Sequence, residues 1–268
     1  MWKVGVGIAL AAAMLAVPTT TGAYPQAGIP MQWTIDGVQR NAIVFVPAST
    51  NGAAKRPLVF AFHGHGGNAQ GTVQLMHIQT VWPQALVVYP QGLPSPTPGD
   101  PSGTKPGWQF KVGDSGDRDL KLFDAMVATM KQRYLADPKR IYTTGFSNGG
   151  IFSYLLWAER PKTIAAVGEV AGSLDASETL TVPRAMLAVA GTHDTTNPYQ
   201  GQVDSINLAR QADNATGPGV PCGMGCTFYA SAGGNKTPVK TFIHQGAHVY
   251  PPWASPQIVK FFKAHPQP

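Results

Sequence analysis

The stretch that decides the fold is RIYTTGFSNGGIFSYLLW, residues 140–157. It places the pattern G-x-S-x-G between an apolar segment with strand character and an apolar segment with helical character. A serine on such a tight strand-to-helix turn has strained backbone angles and crowded neighbours, so small residues are needed two positions before and after it. Gly145 and Gly149 meet that need. Ser147 is therefore the predicted nucleophile, at the N-terminus of a helix whose dipole favours a developing oxyanion.

Short apolar runs on both sides of this turn predict a sheet that is covered on both faces. These runs are residues 58–62, 85–89, 140–144, 165–170, 185–190 and 239–243. Residues 31–35 and 41–46, joined by an Asp-Gly turn, predict a hairpin at the edge of the sheet. Because strands alternate with helical segments, the predicted class is α/β, with a mainly parallel central sheet and helices on both faces.

Two helices are predicted from periodicity and capping. Apolar residues recur at spacings of three and four between residues 119 and 134, and Asp117 and Asp119 are predicted to cap the start of this helix. The acidic run at residues 114–119 leaves a calcium loop as the alternative, although it lacks the spacing and the distal glutamate of an EF-hand. Ser255 is the predicted N-cap of a final helix with an apolar face.

Composition limits the classes of protein to which the chain can belong. Residues 1–23 combine a basic start, an apolar run and small residues at a cleavage point, which predicts a signal peptide and a secreted or periplasmic protein; an uncleaved membrane anchor is the alternative. Residues 24–268 are expected to form a single catalytic domain. The chain has 20 Lys and Arg against 14 Asp and Glu, but these charges are scattered, which disfavours nucleic-acid binding. No stable membrane association is expected after signal cleavage, and the oligomeric state stays open.

Cys222 and Cys226 lie in a stretch with loop character, residues 218–227, and are predicted to form a local disulfide. An exported protein meets an oxidising compartment, and the two glycines between the cysteines let a short ring close. A metal site is the alternative, but it would need further thiolates or a histidine partner.

The predicted nucleophile needs a base and an acid that orients it. Asp194 and His248 each follow a predicted strand, so both are expected at the carboxyl edge of the sheet, where Ser147 emerges. The chain order Ser, Asp, His is the one that this arrangement has in such a fold. His244 remains the alternative base, and Asp175 the alternative acid.

A second glycine-rich segment, HGHGGN at residues 63–68, directly follows a predicted strand. Its glycines would let the backbone approach a substrate carbonyl, and the backbone N–H groups of His65 and Asn148 are the predicted oxyanion donors. The H-x-H pair leaves a metallohydrolase as an alternative, but no further ligands follow at a metal-binding spacing. Acyl transfer through the serine needs neither a metal nor an organic cofactor.

The chain carries, in order, the motifs PLVFAFHG, YPQG, DPKRIYTTGFSNGG, GTHD and GAHVYP. Together they resemble the secreted family of poly(3-hydroxybutyrate) depolymerase-like proteins and the related feruloyl and acetylxylan esterases, which have the α/β-hydrolase fold. The resemblance implies a serine carboxylic-ester hydrolase that forms an acyl-enzyme with Ser147, Asp194 and His248, acting on feruloyl or acetyl esters of plant polysaccharides. A polyester depolymerase, an exo-acting peptidase and a non-catalytic binding protein on the same scaffold are the alternatives.

The same resemblance implies a set of substrate contacts. The segment GWQF at residues 107–110 is similar to a tryptophan segment that lines the acyl site of relatives, so Trp108 is expected to contact substrate. Tyr250 and Trp253 lie close to His248 in the sequence and are expected to stack on an aromatic or sugar ring; packing within the core is the alternative for all three.

Overall fold

A computed structural model of the protein describes residues 28–47, 54–234 and 236–267. The predicted signal peptide at residues 1–23 lies outside the described residues. The strands are β1 (Ile29–Ile35), β2 (Val38–Phe45), β3 (Arg56–Phe62), β4 (Leu86–Pro90), β5 (Leu93–Pro94), β6 (Pro106–Gly107), β7 (Ala136–Phe146), β8 (Ala166–Val170), β9 (Ala185–Gly191), β10 (Val220–Gly223), β11 (Cys226–Tyr229) and β12 (Val239–His244). The helices are α1 (Ala69–Met76), α2 (Ile78–Val81), α3 (Arg118–Tyr134), α4 (Asn148–Glu159), α5 (Tyr199–Ala212) and α6 (Ala254–Ala264), with a 3-10 turn at Asp114–Asp117.

Ten of these strands form one sheet, in the order β1-β2-β4-β3-β7-β8-β9-β12-β11-β10. The six strands from β4 to β12 in this order pair in parallel, and two antiparallel strands flank them at each edge. The six apolar runs of the sequence lie in the parallel strands, which confirms the α/β class and the mainly parallel sheet. The predicted hairpin is β1 and β2 at one edge, with its turn at Asp36 and Gly37.

Helices cover both faces of the sheet because the apolar strands point side chains to both sides. In β3, Leu58, Phe60 and Phe62 belong to the core formed with α3, α4 and α5. Val59 and Ala61 belong to the opposite core, formed with α1, α2 and α6. The alternation explains why these strands are continuously apolar.

Asp117 and Asp119 lie at the start of α3 as predicted, at the N-cap position and in the first turn, but neither side chain caps the helix. Asp117 precedes the helix, but its side chain accepts hydrogen bonds from the Gly113 backbone N–H and the Gln109 amide rather than from the helix. The Asp119 side chain is fully buried and forms an ion pair with Arg40, with 2.7 Å between Nη2 and Oδ1. The acidic run therefore anchors the segment in front of the helix and ties it to β2.

Two further expectations change near the C-terminus. Residues 218–227 were expected to form a loop, but β10 and β11 make a hairpin there, closed by the predicted disulfide between Cys222 and Cys226. The final helix begins at Ala254, so Ser255 lies inside it and is not the N-cap. The Ser255 hydroxyl instead hydrogen-bonds the Tyr250 hydroxyl, with 2.7 Å between the oxygens.

Candidate active site

Ser147 occupies the turn between the end of β7 and the start of α4. Its φ of 57° and ψ of −122° are unusual for a residue with a side chain, and such a conformation costs about 1–3 kcal/mol unless the surroundings hold it. Two backbone hydrogen bonds do so. The Ser147 N–H donates to the Val170 carbonyl and the Ile151 N–H donates to the Ser147 carbonyl, each at 2.9 Å.

The glycines of the motif are required by close backbone approach. A Cβ atom on Gly145 would collide with the backbone of Gly149, and one on Gly149 would collide with the Phe62 carbonyl. A Cβ atom on Gly64 would lie 3.3 Å from the Ser147 Cβ. The nucleophile turn and the loop after β3 are therefore packed backbone against backbone, which explains the glycine spacing found in the sequence.

Asp194 and His248 are joined by a short hydrogen bond. The His248 Nδ1 lies 2.7 Å from the Asp194 Oδ2, and the aspartate side chain is fully buried. Its other oxygen accepts the backbone N–H groups of Thr196 and Asn197, at 3.0 and 2.9 Å, and Gln202 donates to the first oxygen at 3.0 Å. These hydrogen bonds fix the orientation of the Asp194 carboxylate. Because His248 contacts it through Nδ1, the Nε2 atom takes no part in this contact.

The predicted nucleophile, base and oxyanion donors line one cavity of about 680 Å³. Ser147 and His248 line it together with His65 and Asn148, so the structure brings these four residues to one place. Much of the remaining wall is apolar, with Phe110, Phe146, Ile151, Leu174 and Pro198. A cavity of this size suits a small organic group such as an acyl chain or an aromatic acid.

The segment around Trp108 connects the two halves of the predicted oxyanion hole. The Asn148 carboxamide accepts the Trp108 backbone N–H at 2.7 Å and donates to the Trp108 carbonyl at 3.0 Å. The indole N–H donates to the His63 carbonyl at 2.9 Å, two residues before His65. One residue therefore holds both backbone segments that carry the predicted donors.

The two histidines of the H-x-H pair have separate partners. His63 is buried, with Nδ1 2.8 Å from the Gly64 carbonyl and Nε2 accepting the Gly92 N–H at 2.9 Å, and burial lowers its pKa. The His65 Nε2 lies 3.2 Å from the Asp100 Oδ2. In residues 28–47, 54–234 and 236–267 there is no cluster of three or more His, Cys, Asp or Glu that could hold a metal ion.

The alternative acid and base have other hydrogen-bond partners. Asp175 lines the cavity, but its carboxylate accepts hydrogen bonds from the backbone N–H and hydroxyl of Ser177, which lower its pKa. The His244 Nδ1 accepts the Gly246 N–H at 3.0 Å, and its ring lines a different cavity. Neither residue occupies the position that the hydrogen-bonded pair of Asp194 and His248 holds.

The expected aromatic contacts are not in the cavity wall. Trp108 has 0% of its surface exposed and packs against Phe62 and Phe152, so substrate cannot reach it in this structure. Tyr250 is 8% exposed and packs on Phe146. Trp253 is 38% exposed but lines the second cavity. Burial places Trp108 and Tyr250 in the core, which is the packing alternative, and Trp253 lies at a separate surface, so none of the three lines this cavity.

Sequence reasoning missed the aromatic residues that do line the cavity. Phe110 lies two residues after Trp108, in the same GWQF segment, and Phe146 directly precedes Ser147. Adjacency to the nucleophile was a usable signal for Phe146. Nothing in the sequence distinguishes Phe110 from Trp108, because only the fold decides which of the two lines the cavity and which is buried in the core.

Comparison with known proteins adds an independent line of support. Residues 100–219 match the prolyl oligopeptidase family, a range that includes Ser147 and Asp194 and ends before His248. A probable feruloyl esterase C of Aspergillus oryzae is 28% identical over 235 residues, which cover 84% of each chain. The chain is a serine esterase with the α/β-hydrolase fold, and its sequence is similar to those of feruloyl and acetylxylan esterases.

Solved structures of such esterases share the fold. The acetyl xylan esterase from Aspergillus awamori superposes with a TM-score of 0.64 and 16% identity, covering 88% of this chain and all of that one. A ferulic acid esterase from Anaeromyces mucronatus, solved with ferulic acid, gives a TM-score of 0.59 and 16% identity over 93% of each chain. For the present esterase, identities this low support the fold and leave the substrate to be argued from the cavity.

Proposed function

We propose that Ser147, His248 and Asp194 form the catalytic triad of this esterase, with the backbone N–H groups of His65 and Asn148 as the oxyanion hole. The observation that carries the proposal is the 2.7 Å contact between His248 and the buried Asp194, at a cavity lined by the strained serine. A histidine oriented by a buried acid is what a serine hydroxyl needs to become a nucleophile.

The mechanism follows from these positions. The Ser147 Oγ attacks the ester carbonyl carbon while His248 Nε2 takes its proton, and Asp194 holds the resulting imidazolium. The oxyanion accepts the two backbone N–H groups, and its collapse expels the alcohol, which receives the proton from His248. Water then attacks the acyl carbon with His248 again as base, the bond to the Ser147 Oγ breaks, His248 returns the proton to that oxygen, and the carboxylic acid leaves. Every step uses groups of this chain, substrate and water.

Two observations support esters of plant polysaccharides, with a feruloyl or acetyl acyl group, as the substrate. Three relatives that share 84–85% of their length with this chain are named as probable feruloyl esterases. The cavity wall carries Phe110 and Phe146, which can pack on an aromatic acid, and its volume accommodates one. A wall of this kind also accommodates a hydroxyalkanoate chain, so a polyester is the substrate to be tested alongside.

The protein is proposed to be secreted or periplasmic, with residues 24–268 as one catalytic domain. The apolar N-terminal run and the disulfide between Cys222 and Cys226 support export, because structural disulfides persist in oxidising compartments. Of the helices in the described ranges, none is long and apolar enough to cross a membrane.

The proposal is tested by comparing wild-type protein with Ser147→Ala on methyl ferulate, acetylated xylan and poly(3-hydroxybutyrate), with an amide substrate in parallel. We expect release of ferulate or acetate, abolished by the substitution in a protein that still folds by circular dichroism. Release of hydroxybutyrate alone would replace the polysaccharide substrate. Faster cleavage of the amide than of any ester would overturn the esterase assignment.

A further inference from the structure

A second cavity of about 760 Å³ lies between β12, α6 and the disulfide-closed hairpin of β10 and β11. We call it the lysine groove and define it by the side chains of Lys240, Phe242, Gln245, Trp253, Gln257 and Lys260. The catalytic proposal uses none of them. Gln245 is followed directly by the loop at residues 246–248, so the groove borders the segment that carries the catalytic histidine.

The groove is positively charged. Lys240 and Lys260 both line it, and none of its lining residues within the described chain is acidic. Lys240 is half-buried, with its ammonium 5.0 Å from the centre of the Phe242 ring. Burial lowers the pKa of Lys240, and the positive charge of Lys260 lowers it further. The two ammonium groups therefore repel each other. An anion placed between them would relieve that repulsion.

The groove also offers flat apolar surface and neutral hydrogen-bonding groups. Trp253 is 38% exposed, and its ring lies 5.3 Å from that of Phe242, centre to centre. Aromatic faces pack on the apolar faces of sugar rings, and the amides of Gln245 and Gln257 can donate to and accept from hydroxyl groups. A ligand that uses all three features is anionic, contains rings and is rich in hydroxyl groups.

We propose that the lysine groove binds an anionic polysaccharide, a chain whose sugars carry carboxylate groups. Lys240 and Lys260 contact a carboxylate, Trp253 stacks on a neighbouring ring, and the glutamines bind hydroxyls. The choice of a polysaccharide rests on the function proposed above, whereas the preference for negative charge rests on the groove alone. A polysaccharide held there stays bound to the protein, which raises the local concentration of its ester groups at the catalytic cavity.

Binding is tested without catalysis, in a Ser147→Ala background, by calorimetric titration with glucuronoxylan oligosaccharides and with the same oligosaccharides after reduction of their carboxyl groups. Lys240→Gln/Lys260→Gln should weaken binding of the carboxylated sugar about tenfold, and added salt should weaken binding to the unsubstituted groove. Trp253→Ala should weaken both sugars. The control is Lys131→Gln/Lys263→Gln, which removes the same charge from α3 and the exposed C-terminal turn of α6.

Equal affinity for the carboxylated and reduced sugars would overturn the proposal, and so would an equal loss in the control variant, which would indicate net charge alone. Tighter binding of a single-stranded oligonucleotide of the same charge would also overturn the assignment to polysaccharide. With Ser147 restored, the groove variant should hydrolyse 4-nitrophenyl acetate like wild type and show a raised KM only on polymer. Loss of activity on the small ester would contradict a separate binding site.

Discussion

The catalytic cavity and the lysine groove share the chain segment from β12 to α6 as a border, but their functional groups are held very differently. Of the groups proposed for catalysis, Asp194 is buried and accepts four hydrogen bonds, and Asn148 is bound at both ends of its amide. In the groove Trp253 and Lys260 are exposed. The difference teaches that the chemistry depends on preorganised, buried groups, whereas the binding of a polymer depends on accessible ones.

The largest expected effect separates two aspartates of the cavity region. Asp194→Asn should lower kcat on 4-nitrophenyl acetate by about 10⁴-fold, because an amide cannot hold the histidine in the required tautomer. Asp175→Asn, at a cavity residue bonded to Ser177, should leave kcat within about twofold of wild type. Similar losses in the two variants, measured by steady-state kinetics, would remove the assignment of Asp194.

The second effect concerns Glu169, a fully buried carboxyl in β8. Burial raises the pKa of Glu169 to about 8, against the opposing hydrogen bonds of the Gly172 N–H and the Tyr154 hydroxyl. The native protein therefore keeps a proton that the unfolded chain, with an ordinary value of 4.5, releases. Because the native state binds more protons between pH 4.5 and 8, the free energy of unfolding falls as pH rises through that window.

The side chain in Glu169→Gln does not titrate. The free energy of unfolding of this variant minus that of wild type should therefore rise by on the order of 2–4 kcal/mol between pH 5 and pH 8. Urea unfolding at the two pH values measures this change, and using the difference between the two proteins removes the contribution of the other titrating groups. Stability curves that stay parallel from pH 5 to pH 8 would show that Glu169 ionises normally in the fold. Lys240→Gln, at the open groove, serves as the comparison and should give parallel curves in this range.

The smallest effect compares two tryptophans that the sequence placed in the same role. Trp108→Phe keeps an aromatic ring but loses the N–H that binds the His63 carbonyl, so kcat should fall about tenfold with little change in KM. Trp253→Phe should leave kcat on a small ester unchanged. The pH dependence of kcat should be unaltered in both variants, since neither touches the proton-transfer groups. A raised KM without a loss of kcat in Trp108→Phe would indicate instead that Trp108 contacts the substrate.

Local pattern was enough to predict most of the architecture. The parallel strands are continuously apolar because both faces are covered, and the Asp-Gly turn marks the edge hairpin. The residues proposed as the triad could be expected at one place for a related reason: parallel strands end at one edge, so side chains that follow Phe146, Gly191 and His244 converge.

Features that depend on distant partners could not be predicted. Trp108 is buried because its indole N–H donates to the His63 carbonyl, 45 positions away. Asp119 does not cap the helix because its carboxylate pairs with Arg40 of β2. The hairpin of β10 and β11 was not predicted, because every residue of β10 is exposed and no alternation of polar and apolar residues marks the strand. For Trp108 and Asp119 a local signal was present and a tertiary contact decided the outcome, whereas β10 carried no local signal.

The central claim is that Ser147 is activated by His248, and reaction with a fluorophosphonate tests it most directly. Mass spectrometry of tryptic peptides should find one adduct, on Ser147, formed rapidly in wild type and slowed by more than about 100-fold in His248→Ala. His244→Ala should be labelled at the wild-type rate. Labelling of another serine, or of Ser147 at equal rates with and without His248, would contradict the proposed site.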